Sequence, residues 1–224
     1  MNVYLVPIAV DRYELYCEVR EPAVPPEPPK GVWRRLLRRF SAVVAEAERE
    51  GRRAPSRAAD ERAGWPTRAK RRLLQWIAKS IAEQRLLWAL RGQAGAQLLY
   101  PDDLAEAQAR AALRHRLSRD FERHRFWLAI DSLGLIASAA LILLPGPNLF
   151  GYYFAFRIVG HFLSVRGARQ GLNVVVWSAC PSAPLSALRG MLAEPPAARE
   201  ARVREVAHLL CLEHFPSFFQ RATM

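Results

Sequence analysis

The period of the hydrophobic positions changes several times along the chain, and each change marks an element. Val3 to Val10 and Tyr13 to Val19 are rich in β-branched and aromatic residues on either side of Asp11-Arg12, which predicts two short strands joined as a hairpin. A lone hairpin is marginal in water, so it needs another strand, and Asn173 to Cys180 is the other strongly β-prone run. Glu21 to Lys30 holds five prolines and reads as an extended linker. Val32, Trp33, Leu36, Leu37, Phe40, Val43, Val44 and Ala47 then recur at helical spacing opposite Arg34, Arg35, Arg38 and Arg39. This basic amphipathic helix suits either an anionic membrane surface or the cover of a soluble core. A charged loop over Gly51 to Pro66 separates it from a second helix, Thr67 to Arg91, and Gly92 to Gly95 ends that one. Asp103 and Glu106 have the spacing of a capping box, so a third helix should begin at Asp103 and run through Leu113, Leu117 and Phe121.

From Phe126 to Leu144 the chain is apolar apart from Asp131, and as a helix this run would extend about 28 Å, the thickness of a bilayer core. Pro145-Gly146-Pro147-Asn148 forces a turn, and Leu149 to Val165 is again apolar and aromatic except for Arg157, His161 and Ser164. Counting back from the turn puts Asp131 and His161 at similar depth, roughly 18 to 20 Å from it, with Arg157 one turn nearer the tip. Asp131 can therefore meet both Arg157 and His161. Such a cluster serves either as an ion pair that fixes the hairpin or as a proton-accepting carboxylate beside a histidine. Gly134 and Ser138, Gly151 and Ala155, and Gly160 and Ser164 supply small residues four apart for close helix packing. After the third strand, Pro184 to Leu192 and Ala197 to Leu212 read as helices.

Composition supports a folded chain, since 51% of the 224 residues are hydrophobic and 24% charged. The length excludes the large helix bundle of an ordinary secondary transporter. The net charge is +12, and apart from Lys30, Lys70 and Lys79 every basic residue is an arginine, which favours phosphate-bearing partners. Five arginines between Arg114 and Arg125, and Arg166 with Arg169 beyond the hairpin, place both of its ends on the cytoplasmic side by the positive-inside rule. The opening residues reach Asp11, Glu14 and Glu18 at once, unlike a signal peptide or mitochondrial presequence, so the expected location is a bacterial cytoplasmic membrane. Cys17, Cys180 and Cys211 are too widely spaced for a disulfide framework.

The segment Leu144-Pro145-Gly146-Pro147-Asn148-Leu149-Phe150-Gly151-Tyr152-Tyr153-Phe154-Ala155-Phe156-Arg157-Ile158-Val159-Gly160-His161, followed by Gly167-Ala168, resembles the core of the mitochondrial K+/H+ exchange-related family. The matching features are the Pro-rich turn ending in Pro147-Asn148, an aromatic helix with Arg157 and His161, and the Gly167-Ala168 pair. The resemblance implies a membrane protein connected with potassium/proton exchange, as a component or regulator. It assigns no catalytic or ion-binding residue.

His208, Cys211 and His214 spread round a helix and make no metal site, and no phosphate loop, nucleophile elbow or paired-cysteine zinc pattern occurs. No enzyme activity, metal or cofactor is expected. The fold class is mainly α with a small β element (α+β). It is divided into a β element at 1–20, a linker at 21–30, a basic helical region at 31–125, a membrane-inserted hydrophobic hairpin at 126–165 and a C-terminal strand and helices at 166–224. The expected partners are a bilayer with anionic head groups and further copies or membrane subunits, because one hairpin has too few walls for a pore. A soluble nucleic-acid-binding protein and a membrane-anchored scaffold are the alternatives; nucleic acid is disfavoured because the aromatic residues sit with the apolar ones.

Overall fold

The computed structural model describes residues 1–9, 11–18, 84–139, 149–192 and 194–223. The proline-rich linker, the helix expected over Val32 to Ala47, the loop at Gly51 to Pro66, most of the helix expected over Thr67 to Arg91, and the turn Pro145-Gly146-Pro147-Asn148 lie outside these residues. The elements are β1 (Asn2–Ala9), β2 (Arg12–Tyr16), a helical segment at 84–90, β3 (Gly95–Pro101), α1 (Glu106–Ala139), α2 (Leu149–Asn173), β4 (Val176–Ser182), α3 (Ala183–Met191), α4 (Pro196–Leu209) and α5 (Phe215–Ala222). The chain is thus mostly helical with a small mixed sheet. It divides into one unit of Met1–Arg20, Leu86–Arg123 and Ser164–Met224, and another of Glu21–Arg85 and His124–Leu163.

The first unit is built on a four-stranded sheet in the order β2-β1-β3-β4. β1 and β2 form the expected antiparallel hairpin, and β1, β3 and β4 run parallel. Alternating side chains of β1 serve opposite faces. Val3 and Leu5 pack with Leu87 and Leu90 of the segment 84–90, Ala109, Leu113 and Leu117 of α1, and Ala168 of α2. Tyr4, Val6 and Ile8 pack with Leu185, Leu188, Val203, Val206, Phe215 and Phe219 of α3 to α5. Because helices cover both faces, β1 is buried along nearly its whole length, as a central parallel strand requires.

β3 corrects two expectations. It lies inside the region read as wholly helical, and it separates the hairpin from the strand expected to pair with it. Its Gln97-Leu98-Leu99 centre favours helix, but tertiary burial of Ala96, Leu98 and Tyr100 between the two neighbouring strands overrides that preference. α1 starts at Glu106, after the position expected from the capping box. Asp103 is engaged elsewhere: its carboxylate binds the Arg189 guanidinium at 2.8 Å, and the neighbouring Asp102 amide donates to the Ser186 hydroxyl at 2.8 Å.

The C-terminal helices are fixed by local chemistry. α4 ends in a Schellman motif, with the Cys211 and Leu212 amides donating to the His208 and Ala207 carbonyls and Cys211 at φ 54°. The Glu18 carboxylate then accepts from the Glu213 and His214 amides, both at 2.9 Å, and so fastens the turn that leads into α5 to the end of the β1–β2 hairpin. α5 itself went unrecognised in the sequence. Phe215 and Phe219 bury one of its faces, and Tyr16 packs edge-on against Phe215 at 5.4 Å.

Candidate functional site

In the second unit the described residues are chiefly the later part of α1 and the first part of α2. Helical spacing arranges their polar residues on one stripe. His124, Asp131 and Ser138 of α1 recur every seven residues, and all three are buried. Arg157 and His161, four apart on α2, face them. The pairings Asp131 with Arg157 and His124 with His161 show that the two helices run antiparallel.

Asp131 is the centre of the cluster and is only 2% exposed. Arg157 Nε donates to both of its oxygens, at 2.9 and 3.0 Å, and His161 Nε2 lies 3.3 Å from Oδ2. A buried carboxylate needs such partners, since an unpaired one would be strongly penalised. Burial works against the charge of Arg157, but the hydrogen bond and charge of Asp131, with a smaller contribution from Tyr153, hold the guanidinium above its ordinary range. The guanidinium also stacks over the Trp127 and Tyr153 rings, at 5.4 and 5.6 Å. Asp131, Arg157 and His161 are therefore brought together in one chain of contacts.

His124 completes that chain and was absent from the sequence reading, which began the hairpin at Phe126. Its Nδ1 lies 2.8 Å from His161 Nδ1, inside the protein. One signal pointed to it, its seven-residue spacing from Asp131, which sets both on one face of the helix. Of the family-like residues, Gly167 and Ala168 lie in the first unit, where both are buried and Gly167 sits directly against the Leu87 backbone. Pro145, Gly146, Pro147 and Asn148 fall outside the described residues. Gly134 packs against the Phe154 ring, giving the close helix approach that its small size permits.

The outward side of these helices has the opposite character. Phe126, Trp127, Ile130, Leu133 and Ile136 of α1 are exposed, as are Tyr153 and Phe162 of α2; Leu133 and Ile136 reach 66% and 70%. Polar groups thus point in and apolar groups point out. Among the described residues, however, no helix is long and apolar enough to cross a membrane. The expected membrane-inserted hairpin is accordingly not supported. The reasons are the charged and polar residues that interrupt both runs, Asp131 in α1 and Arg157 and His161 in α2.

The chain matches the family described as mitochondrial K+-H+ exchange-related over residues 2–175. It belongs to that family. The match takes in β1 to β3, α1, α2 and the whole polar cluster, and ends just before β4. Membership of the mitochondrial K+-H+ exchange-related family links the chain to potassium/proton exchange and hence to cation homeostasis. No curated protein and no solved structure matches it. His208, Cys211 and His214 are all exposed, and no metal-competent group of three His, Cys, Asp or Glu residues occurs among the described residues.

Proposed function

We propose that this chain acts in potassium/proton exchange as a membrane-surface component or regulator, docked on the anionic inner face of a bacterial cytoplasmic membrane. The observation that carries the reading is the inverted polarity of the second unit. An apolar stripe formed by Phe126, Ile130, Leu133 and Ile136 faces outward, while the ionisable side chains are turned inward. Exposed apolar patches of this kind mark interaction surfaces. Lipid suits this one because Arg119, Arg123 and Arg125, all exposed, precede the stripe on the same helix, and Trp127 and Tyr153 sit beside it. Basic residues at the head of an apolar face with aromatic flanks match the chemistry of an interfacial helix. Transport by the chain itself would need further copies or partner subunits, so a component or regulator fits better than a complete exchanger.

Flotation of the full chain with vesicles tests the docking. The protein should rise with vesicles containing phosphatidylglycerol, rise less in high salt, and stay at the bottom when Leu133→Glu and Ile136→Glu are introduced together. Wild-type protein that ignores vesicles of any composition, or that instead self-associates through this stripe with loss of dimer in the double variant, would overturn the membrane reading. Potassium/proton exchange measured in vesicles from cells carrying Asp131→Asn or His161→Ala at normal protein levels tests the link to flux. Unchanged exchange in both would remove the cluster from it.

A further inference from the structure

Two arginines of the first unit lie within reach of each other's charge. Arg91 opens the turn that follows the segment 84–90, and Arg166 lies on α2. Packing on either side fixes their spacing. Gly167, next to Arg166, sits directly against the Leu87 backbone, four residues before Arg91. One helical turn beyond Arg166, the Gln170 side-chain amide donates to the Gln93 carbonyl at 3.1 Å, and the Trp88 indole donates to the Ser164 hydroxyl at 3.0 Å. Arg116, Arg189 and Arg202 of the same unit each bind a carboxylate. Arg91 and Arg166 have no carboxylate partner among the described residues. Arg91 is half-buried, and its burial together with the charge of Arg166 pulls its guanidinium below the ordinary range. Beside it there is room: nothing lies within 4 Å of the position that a β-carbon on Gly92 would take.

We propose that Arg91 and Arg166 form a binding site for a phosphate group, carried either by a small soluble anion or by a lipid head group. Each guanidinium presents N–H donors in a planar fork that matches two oxygens of a phosphate. Two forks held at a fixed spacing can engage one phosphate from two sides, and its double negative charge balances both cations. A carboxylate, with one charge and two oxygens, suits a single fork. Arg169, exposed and three residues from Arg166 on the same helix, adds a further positive charge at the rim. The anion offsets the repulsion between the arginines and the cost of holding Arg91 half-buried. This site lies in the first unit and stands whether or not the apolar stripe of the second unit docks on lipid.

Thermal unfolding of the full chain in sodium phosphate, against sodium chloride of the same ionic strength, tests the site with the free anion. Phosphate strengthens folded states in general, so the deciding quantity is the difference between wild type and the Arg91→Gln, Arg166→Gln double variant. At ten times the half-saturating phosphate concentration, wild type should gain about 3–6 °C more than that variant, and the extra gain should level off. Arg114→Gln with Arg221→Gln removes the same charge from exposed positions and should keep the wild-type gain. Flotation with phosphatidylcholine vesicles containing phosphatidic acid tests the lipid source. Binding that falls by about tenfold or more in the Arg91→Gln, Arg166→Gln variant, without a saturating gain from free phosphate, would assign the site to a head group. An equal phosphate gain in wild type and variant, together with flotation that the variant leaves unchanged, would overturn the site. Arg166 is exposed, so Arg166→Gln alone decides the matter if the double variant fails to fold. Failed flotation of wild type on every vesicle with the phosphate gain intact would refute the membrane reading alone.

Discussion

Replacing Gly167 by alanine should destabilise the protein by about 2–4 kcal/mol, against the ordinary gain of up to about 1 kcal/mol for glycine to alanine within a helix. A Cβ at Gly167 would lie 2.5 Å from the Leu87 carbonyl carbon and 3.1 Å from its Cα, and nearer still to the carbonyl oxygen. The obstacle is main chain, so no rotamer change relieves it. α2 and the segment 84–90 would have to part by on the order of 1 Å, at a core as densely packed as an organic crystal. That gap loosens Leu87, Leu90, Leu117 and Ala168, each at most 2% exposed, and forfeits a quarter to a half of their dispersion attraction across it. Two controls isolate the effect. At Gly171 the new Cβ would meet only the ends of the Leu117 and Leu90 side chains, each at 3.2 Å, and these can give way, so that variant should stay within about 1 kcal/mol of wild type. At Gly190, on α3, nothing lies within 4 Å, and alanine should stabilise by about 0.5–1 kcal/mol. Urea unfolding followed by circular dichroism would rank the three. A Gly167→Ala variant as stable as wild type would mean that Leu87 is not seated on α2.

Arg116 neutralises two carboxylates, bonding Glu14 at 2.5 Å and lying 3.6 Å from Asp120, and all three side chains are largely buried. Burial pushes both carboxyl groups above their usual range and Arg116 pulls them back. In Arg116→Gln their folded pKa values should rise further, so the folded state retains protons that the unfolded state releases, and stability falls as pH rises through that range. The loss should be about 2–4 kcal/mol at pH 7 and under about 1 kcal/mol near pH 4; urea unfolding that gives the same loss at both would refute this. At the polar cluster, Asp131→Leu alone should cost about 3–5 kcal/mol by leaving Arg157 without its carboxylate, whereas Asp131→Leu with Arg157→Met should recover most of that loss. A double-mutant cycle by thermal unfolding with near-zero coupling would show that the pair does not hold the helices together.

The parts of the fold that could be read from sequence are those where local preference and tertiary demand agree. The β1–β2 hairpin is legible because Val3, Leu5, Leu15 and Tyr16 favour strands and are also buried as strands. β4 is legible through the Val174-Val175-Val176-Trp177 run that leads into it, although the strand itself starts at Val176. β3 is hidden because Gln97, Leu98 and Leu99 favour helix, and only pairing with β1 and β4 makes them extended. α5 is hidden by its shortness. At the polar cluster, Asp131, Arg157 and His161 could be placed by counting from the turn, since antiparallel helices make depth a matter of arithmetic. His124 escaped because it precedes the apolar run and because the count from the turn does not bring it level with His161.

The two units resolve the same physical problem in opposite ways. In the sheet unit, apolar side chains turn inward from both faces and the ion pairs of Arg110, Arg202 and Arg204 stay outside, as water demands. In the other, Asp131 and the two histidines are turned inward while Leu133 and Ile136 remain outside. Burying ionisable groups is expensive, and well-packed apolar residues of similar volume commonly make a more stable contact. A fold that tolerates the cluster therefore forgoes stability, and among the described residues of this unit Val159 and Leu163 are the buried apolar side chains that offset it, while Leu133 and Ile136 lie on the surface. An apolar medium against the outer stripe would make such an arrangement favourable. That medium is whatever covers Leu133 and Ile136, and for that reason the Leu133→Glu and Ile136→Glu pair should abolish docking while leaving the helical content measured by circular dichroism unchanged.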